Sequence, residues 1–309
     1  MRILILGGTG LIGNHLADHL GSRGHEPLLL LRDESKKGRL PPNCDYITGN
    51  PLNSGDWQQK AREVDGIVNL VGKNIMTRWT QQEKKVIFDT RIESTKRAVE
   101  AIGLLPDSEQ KPFLINTSAL GYYPLDKEEV LTEEDSPGGH FLAKVCKAWE
   151  EEAQQAENFG ARVARTRFAP VLTPNGGLLG NVLPVFKKGL GGKLGTGLQP
   201  FPWIHVRDLL NAIEFIAQNQ EISGPVNLCA PQIINNKEFT RELAKALNRP
   251  AIFPVPPKIL RLVYGELSQT LLEGPKVRPQ VLQDNGFEFL FPKIDLALQD
   301  IVKKMQRQV

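Results

Sequence analysis

The feature that most constrains the fold is the N-terminal segment ILILGGTGLIG, in which a glycine cluster directly follows a short apolar run. Residues 3–6 predict a buried strand, and the apolar spacing over residues 11–20 predicts a helix. In a strand–turn–helix, glycines let a pyrophosphate approach the backbone at the positive end of the helix. We therefore predict a dinucleotide site, with a ligand-free tight turn as the alternative. Two spacings fit: G-x-G-x-x-G at Gly8, Gly10 and Gly13, and G-x-x-G-x-x-G at Gly7, Gly10 and Gly13.

Apolar runs and helical patterns alternate through the first two-thirds of the chain. Short runs joined by helices are typical of parallel strands that are buried on both faces. The fold class that we predict is α/β, a Rossmann-type doubly wound parallel sheet with a smaller C-terminal substrate lobe. The further runs lie at 28–31, 46–47, 66–71, 113–117, 163–166 and 225–229, and the helical patterns at 82–102, 144–159, 206–218 and 237–247.

The end of the second predicted strand, LLLLRDESKK, bears on the choice of dinucleotide. An acidic side chain at this place holds the ribose diol of NAD, whereas an arginine accommodates the 2′-phosphate of NADP. Arg32 comes first, with Lys36 and Lys37 behind it, and the guanidinium fork suits a phosphate. The sequence favours NADP(H). An inward-pointing Asp33 would favour NAD, and the basic residues could instead form a solvated loop.

A change of texture after the predicted sheet strands suggests how the chain is divided. Residues 174–205 are rich in glycine and proline and show little periodicity, so we expect them to wrap a pocket, with GLGGKLGTG as a mobile flap. We assign residues 1–172 to an NADP-binding Rossmann domain, to which residues 206–230 return. We assign residues 173–205 and 231–309 to the substrate lobe.

Charge and composition exclude several classes of function. The 309 residues carry a net charge of +3 and scattered basic residues, so we expect neither a nucleic acid nor a membrane as partner. No apolar run approaches the roughly 18 residues of a bilayer span. His15 and His19 lack further ligands nearby, so we predict no metal. We expect a monomer or a homodimer. Three scattered cysteines indicate a reduced, cytoplasmic protein: Cys44, Cys146 and Cys229.

The order of several segments resembles the extended short-chain dehydrogenase/reductase superfamily, in its sugar-nucleotide epimerase type: GGTGLIG, then VNLVGKNI, NTSALGYY and PWIHVRDL. The resemblance covers nearly the whole chain, and further segments narrow it to the atypical branch of epimerase family proteins: RWT, KAWEE, PNGGLLG and GLGG. It implies a Rossmann-type sheet, a substrate between the sheet and a C-terminal lobe, and NADP(H) as the nucleotide. It implies no particular substrate.

Carried onto this chain, the resemblance also implies ligand contacts. Arg32 would meet the 2′-phosphate, and Trp203 and His205 would face the substrate cleft. Thr117 and Ser118 match the hydroxyl residues that polarise a substrate oxygen, and Thr117 is also assigned to the cofactor site. The other cofactor contacts are Gly7, Thr9, Gly10, Leu11 and Ile12 at the pyrophosphate, Leu70, Val71 and Gly72 at the adenosine ribose, and Phe168, Ala169 and Val171 at the nicotinamide.

The catalytic tyrosine and lysine of that superfamily are absent from the corresponding positions of this chain. A tyrosine there exchanges a proton with the substrate, and a lysine one helical turn later lowers the tyrosine pKa and binds the nicotinamide ribose. Glu150 marks the register of the helix and places Leu142 in the tyrosine position and Cys146 in the lysine position. Other registers bring in Lys144 or Lys147 but no tyrosine. The usual mechanism therefore fails on this sequence.

Several replacements for the missing groups stay open. Tyr122 or Tyr123 could donate the proton near Ser118, unless one packs and the other caps the loop. His140 titrates near neutral pH, although a loop histidine is more often structural. Cys146 would need a lowered pKa to act, and a small core residue is the favoured interpretation. On the flap, Lys193 could contact an anionic substrate, and we expect Asp208 to cap the helix that follows it.

Two functions of different class follow from these patterns. The first is an NADP-dependent oxidoreductase or epimerase that acts on a small polar, or nucleotide-linked, substrate without the usual dyad. The second is a non-catalytic NADP(H)-binding regulator or scaffold, a role that some relatives named as cell-division inhibitors suggest. The second explains the absent dyad directly, whereas the first explains why an elaborate pocket lobe persists.

Overall fold

The computed structural model describes residues 1–174 and 176–307. Its strands are β1 (Arg2–Leu6), β2 (Glu26–Leu31), β3 (Asp45–Thr48), β4 (Gly66–Asn69), β5 (Phe113–Ala119), β6 (Val130–Leu131), β7 (Val163–Phe168), β8 (Val171–Leu172), β9 (Ile204–His205), β10 (Gly224–Leu228) and β11 (Lys276–Val277). The central sheet has seven parallel strands in the order β10-β7-β5-β4-β1-β2-β3. Each of the seven apolar runs in the sequence forms one of these strands, so the predicted Rossmann-type sheet is confirmed.

The helices lie on both faces of the sheet and in the C-terminal part. They are α1 (Leu11–Ser22), α2 (Gln81–Gly103), α3 (Phe141–Gln154), α4 (Gly177–Lys187), α5 (Val206–Gln218), α6 (Asn236–Leu247), α7 (Pro257–Tyr264), α8 (Leu267–Leu272), α9 (Gln280–Asp284) and α10 (Ile294–Arg307). Each helical pattern named in the sequence corresponds to one of them within a few residues, and the pattern over 206–218 matches α5 at both ends.

Alternate side chains of the central strand β1 enter two separate apolar cores. On β1, Ile3 and Ile5 pack with residues of α1 and α5, such as Leu16 and Leu209. Leu4 and Leu6 point to the other face and pack with α2, where Ile102 belongs to the same cluster. Because both faces are covered, these strands read as unbroken apolar runs and not as an alternation of apolar and polar residues.

The C-terminal part has an apolar cluster of its own. Leu183 of α4, Leu243 of α6 and Leu298 of α10 pack together there around the fully buried Trp203. The helix α4 corrects the expectation that residues 174–205 lack regular structure. Its two glycines and Pro184 lower its helix propensity, which hid it in the sequence. The assignment of this part to substrate binding stays a prediction.

The glycine-rich segment that was expected to be a mobile flap is tied to the segment before α7. The Val255 amide donates to the Lys193 carbonyl at 2.9 Å, and the Gly195 amide donates to the Val255 carbonyl at 2.9 Å. The Phe253 amide donates to the Gly191 carbonyl at 3.1 Å. A ladder of this kind argues against a freely moving flap, and its glycines instead allow close packing, because a Cβ at Gly192 would lie 1.9 Å from the Phe253 carbonyl oxygen.

A pair of glycine substitutions tests how closely the neighbouring strands β4 and β5 pack. A Cβ at Gly66 would lie 2.1 Å from the ring of the buried Phe113, so we expect Gly66→Ala to lower the free energy of unfolding by about 1–3 kcal/mol. The matched control is Gly180→Ala, which meets nothing within 4 Å inside α4 and should raise stability by up to about 1 kcal/mol. Urea unfolding followed by fluorescence measures both. Equal effects of the two substitutions would contradict the packing described here.

Candidate functional site

The turn between β1 and α1 is built by the glycines that the sequence pattern singled out. Gly7 has a positive φ of 81°, and a Cβ on it would lie 3.1 Å from the Leu70 carbonyl carbon. The Gly10 amide donates to the Gly7 carbonyl at 2.9 Å, and Gly10 then begins the helix as its N-cap. A Cβ at Gly13 would lie 2.4 Å from the Gly7 oxygen, so this glycine lets the helix pack against the turn.

The start of α1 has the properties of an anion site. Thr9, Gly10 and Leu11 are exposed, and α1 has neither a side-chain cap nor an acidic residue in its first turn. The backbone amides of its first turn are therefore available to a ligand and carry the positive end of the helix dipole. A Cβ at Gly10 would meet only the Gly7 oxygen, at 3.2 Å, so the space in front of the helix is otherwise open. This cradle fits a pyrophosphate.

The structure after β2 shows which of the charged side chains there is available to a ligand. Asp33 is exposed, and its carboxylate accepts a hydrogen bond from the Ser35 amide at 3.0 Å as the cap of a short helical turn, Glu34–Arg39. Hydrogen bonds from the Ser35 hydroxyl and amide lower the pKa of Asp33. Arg32 is exposed, and across residues 1–174 and 176–307 its guanidinium has no hydrogen-bond or ion-pair partner. The inward Asp33 that would favour NAD is not found.

Buried amides and hydroxyls lie where β4 and β5 end. The Asn69 side-chain amide donates to the Asn116 carbonyl oxygen at 2.8 Å, and the Thr95 hydroxyl donates to the same oxygen at 3.1 Å. The Trp149 indole donates to Thr95 at 2.8 Å, which joins α3 to α2. These contacts hold the chain at Leu70 and Val71 beside the glycine turn. Sequence reasoning missed them, because isolated asparagines and threonines have no pattern.

The two hydroxyl residues at the end of β5 differ in what they can do. Ser118 is buried, and its hydroxyl donates to a Glu150 carboxylate oxygen at 2.6 Å. The hydroxyl proton is therefore used in the hydrogen bond to Glu150, which argues against Ser118 as the group that polarises a substrate oxygen. Thr117 points to the opposite face of the strand. Its hydroxyl is buried and has no hydrogen-bond partner in the described chain.

A buried ion pair lies beside Ser118. Arg167 of β7 makes two hydrogen bonds of 2.9 Å to the Glu150 carboxylate of α3, and a third of 2.7 Å to the Tyr123 hydroxyl. Burial alone would lower the pKa of Arg167, but its hydrogen bonds to the Glu150 carboxylate raise it, so the guanidinium stays charged. The Tyr122 ring covers the same guanidinium at 3.6 Å. Such a pair holds α3 against the sheet.

The two adjacent tyrosines therefore have different surroundings. Tyr123 is fully buried, and its hydroxyl lies 2.8 Å from both the Thr132 carbonyl and the Asn227 side-chain oxygen. Burial raises its pKa, and these contacts leave it no room to serve as a proton donor. Tyr122 is half-buried, and burial also raises its pKa, so the phenol stays protonated and able to donate. Of the two candidates, the geometry keeps Tyr122.

The positions of the missing dyad are occupied by buried apolar side chains. Leu142 packs in a small cluster with Trp79, Ile87 and Leu267 of α8. Cys146 is buried one turn later, where burial raises its pKa to about 11 and so excludes a thiolate at neutral pH. His140 is the N-cap residue of α3, and burial lowers its pKa. None of these three side chains forms an acid–base pair with a neighbour in the chain as described.

The nicotinamide and substrate contacts implied by the resemblance are distributed differently. Phe168 and Val171 are half-buried beside the β7 end, and Ala169 is buried. Trp203 is fully buried in the C-terminal core, so it cannot face the substrate cleft. Lys193 is half-buried on the glycine-rich segment, and none of the described residues forms an ion pair with it.

Neither His205 nor Asp208 has the role that was expected of it. The His205 Nδ1 atom accepts a hydrogen bond from the Arg207 amide at 3.1 Å, so His205, not Asp208, caps α5. Its ring stacks 3.9 Å from Phe291, and burial lowers its pKa to about 4. The Asp208 carboxylate instead accepts from the Leu290 and Phe291 amides at 2.8 and 2.9 Å. These contacts correct the expected placement of His205 in the substrate cleft.

A wide surface depression lies at the opposite edge of the sheet. It is lined by residues at the amino ends of the strands, among them Asp65, Phe113 and Arg162. Open α/β sheets bind ligands at the carboxyl ends of their strands, whereas this depression lies at the amino ends. We therefore place the site at the carboxyl edge. Among the described residues no cluster could hold a metal ion, and no described helix has the length and apolar character that a membrane span requires.

Comparison with known proteins identifies the family to which this chain belongs. The chain belongs to the NAD dependent epimerase/dehydratase family, whose sequence profile matches residues 3–229. A domain of unknown function, DUF1731, matches residues 255–301. This agrees with the resemblance in the sequence, and the family description names a pyridine nucleotide, NAD.

Particular relatives cover nearly the whole chain. An epimerase family protein of Staphylococcus haemolyticus is 35% identical over 303 residues, which are 97% of this chain and 99% of that protein. The chloroplastic SDR39U1 homolog of Arabidopsis thaliana is 35% identical over 98% of this chain and 87% of its own length. The crystal structure of the human epimerase family protein SDR39U1 with NADPH superposes with a TM-score of 0.85 at 31% identity, covering 98% of this chain and 99% of that one.

The unequal burial of the two tyrosines is testable by stability. Tyr123→Phe removes the acceptor of Arg167 and leaves buried oxygens unpaired, so we expect it to lower the free energy of unfolding by about 1–3 kcal/mol. Tyr122→Phe keeps the ring over Arg167 and should cost less than about 0.5 kcal/mol. Chemical denaturation measures both. A larger loss for Tyr122→Phe than for Tyr123→Phe would contradict the assignment.

Proposed function

We propose that this chain binds NADP(H) along the carboxyl edge of its parallel sheet. The observation that carries the proposal is the pair of side chains after β2: Arg32 is exposed and unpartnered among the described residues, while Asp33 caps its own loop. An unpaired guanidinium at this place suits a 2′-phosphate, and a carboxylate occupied in this way does not hold a ribose diol. The human relative solved with NADPH supports the same nucleotide.

The residues that would hold the nucleotide lie at the ends of five neighbouring strands of the sheet. The backbone at Gly7, Gly10 and the first turn of α1, which includes Leu11 and Ile12, would hold the pyrophosphate, with Thr9 at its edge. Arg32 would hold the 2′-phosphate beyond β2. On the other side of β1, the ends of β4, β5 and β7 would meet the nicotinamide half, which supplies hydride transfer when bound.

We further propose an oxidoreductase or epimerase reaction on a small polar or nucleotide-linked substrate. With Ser118 and Tyr123 committed to buried partners, two groups remain for proton and oxygen handling. The Tyr122 phenol is half-buried and protonated, so it would act as the general acid. The unpartnered Thr117 hydroxyl would donate a hydrogen bond to a ligand oxygen. We place this activity in the cytoplasm, in a monomer or homodimer, although the Arabidopsis relative is chloroplastic.

A specific observation favours the second function. Leu142 lies in an apolar cluster with residues of α2 and α8. Apolar side chains, one of them from the C-terminal part, therefore surround the position where the superfamily has its acid. A protein that only reports whether NADP(H) is bound would need no acid there. This regulator function shares the nucleotide site with the first function, and the two differ only in whether hydride is transferred.

The nucleotide preference is testable at Arg32. Replacing it by glutamine removes a charge-assisted hydrogen bond to the 2′-phosphate, so NADPH affinity should fall roughly ten- to hundredfold, while NADH affinity changes little. Arg261→Gln, an equal change of charge on α7, serves as the control and should alter neither affinity. Calorimetric titration measures all four pairs. Equal losses for NADPH and NADH would show that Arg32 does not read the phosphate.

The choice between the two functions is testable by isotope transfer. The protein is incubated with stereospecifically deuterated NADPH and a panel of carbonyl compounds and sugar nucleotides, and label in the products is measured by mass spectrometry. The enzyme function predicts label transfer that Tyr122→Phe slows by about a hundredfold or more, as expected on loss of a general acid. Tight NADPH binding without any transfer would instead support the regulator.

A further inference from the structure

Arg91, in the middle of α2, is a largely buried cation without an anion. Its Nη1 atom donates to the Ile87 carbonyl at 2.9 Å, and its guanidinium lies 5.0 Å from the Trp149 ring of α3. Within the described chain no carboxylate forms an ion pair with it. Burial lowers the pKa of Arg91, and no carboxylate offsets that effect. Guanidinium groups almost always stay charged, so an unpaired one in a partly buried place costs stability unless a ligand satisfies it.

The Arg91 guanidinium lies against the chain that follows β4, at the edge of the candidate site. Gly72, which follows β4, is exposed, and a Cβ built on it would lie 3.1 Å from the Arg91 Cζ atom and 3.2 Å from its Nη2 atom. The absence of a side chain at Gly72 therefore leaves the guanidinium in contact with the backbone at the rim of the cleft. Cys146 lies one turn before Trp149 on α3, and its neutral thiol offers this region no charge of its own.

The strand order assigns this place to one half of a dinucleotide. The pyrophosphate cradle lies at the end of β1, and Arg32 lies at the end of β2, so the adenosine half extends toward β2. The nicotinamide half must then extend the other way, across β4 and β5, which neighbour β1 on its other side. Gly72 and Arg91 lie on that second side. This differs from the expectation that Gly72 lines the adenosine ribose.

We propose that Arg91 binds the ribose hydroxyls of the nicotinamide nucleoside. The guanidinium has several N–H donors in a planar fork, and the vicinal hydroxyls of a ribose present two acceptors at matching separation. The hydrogen bond to Ile87 and the contact with Trp149 fix the fork, so little side-chain entropy is lost on binding. Arg91 thereby acts as a positioning residue for the reactive ring. The inference rests on the proposed NADP(H) function.

The test compares two ligands that share only the adenosine half. NADPH carries the nicotinamide nucleoside, whereas adenosine 2′,5′-bisphosphate lacks it. Arg91→Met keeps an unbranched apolar stem against Trp149 but removes the donors. We expect it to weaken NADPH binding roughly ten- to hundredfold and to leave the bisphosphate within about twofold. Lys96→Met, an equal loss of charge at an exposed position of the same helix, should change neither affinity.

Each outcome decides between the proposals. Equal losses for both ligands, or no loss for NADPH, would overturn the role of Arg91 while the NADP(H) site stands. A wild-type chain that binds neither ligand would overturn the proposed function, and this inference with it. Thermal melting checks that Arg91→Met is folded. Should it unfold, Arg91→Lys makes the same comparison, because it keeps the charge and loses the fork. A partial loss confined to NADPH would then support the role, and its absence would overturn it.

Discussion

The start of α1 can pack against the turn after β1 only because position 13 has no side chain. A Cβ there would lie 2.4 Å from the Gly7 oxygen and 2.7 Å from the Gly8 Cα atom, so the backbone of the turn or of the helix would have to shift. This contact fixes the direction of the helix axis and so directs its first amides at the open space before Gly10. The position of a pyrophosphate follows from it, and both halves of a dinucleotide are then oriented by the strands on either side.

Most polar groups at the carboxyl edge are paired with one another. Asn69, Asn116 and Thr95 form one buried set, and Ser118, Glu150, Arg167 and Tyr123 form another. Fully satisfied networks of this kind make a site rigid and specific, although they add little net stability. Because the paired groups are not available to a ligand, the groups without such partners are the ones that a ligand can contact. In the part of the chain that the structure describes, Arg32 and the Thr117 hydroxyl have no such partner, and Arg91 has a backbone carbonyl but no carboxylate.

The sequence predicted the sheet well because burial on both faces leaves a strong signal. All seven apolar runs, from Ile3–Leu6 to the last at 225–229, form central strands, and the glycine spacing identified the turn. It could not tell Tyr122 from Tyr123, because the tight turn Leu120–Tyr122 decides which side chain enters the core. It also assigned the cap of α5 to Asp208 instead of His205, since either residue type can cap a helix. Nothing in the sequence singled out Arg91, because its proposed role depends on its contact with Gly72, which is distant in the chain.

The central claim is that the amides at the front of α1 hold the pyrophosphate of a pyridine nucleotide. Amide NMR of the ¹⁵N-labelled chain during titration with NADPH tests it at the atoms concerned. We expect saturable changes of chemical shift that are largest at Gly10, Leu11 and Ile12, with further changes at Arg32. Binding that leaves these amides unmoved, or that instead shifts residues such as Asp65 and Arg162 at the opposite edge of the sheet, would contradict the account.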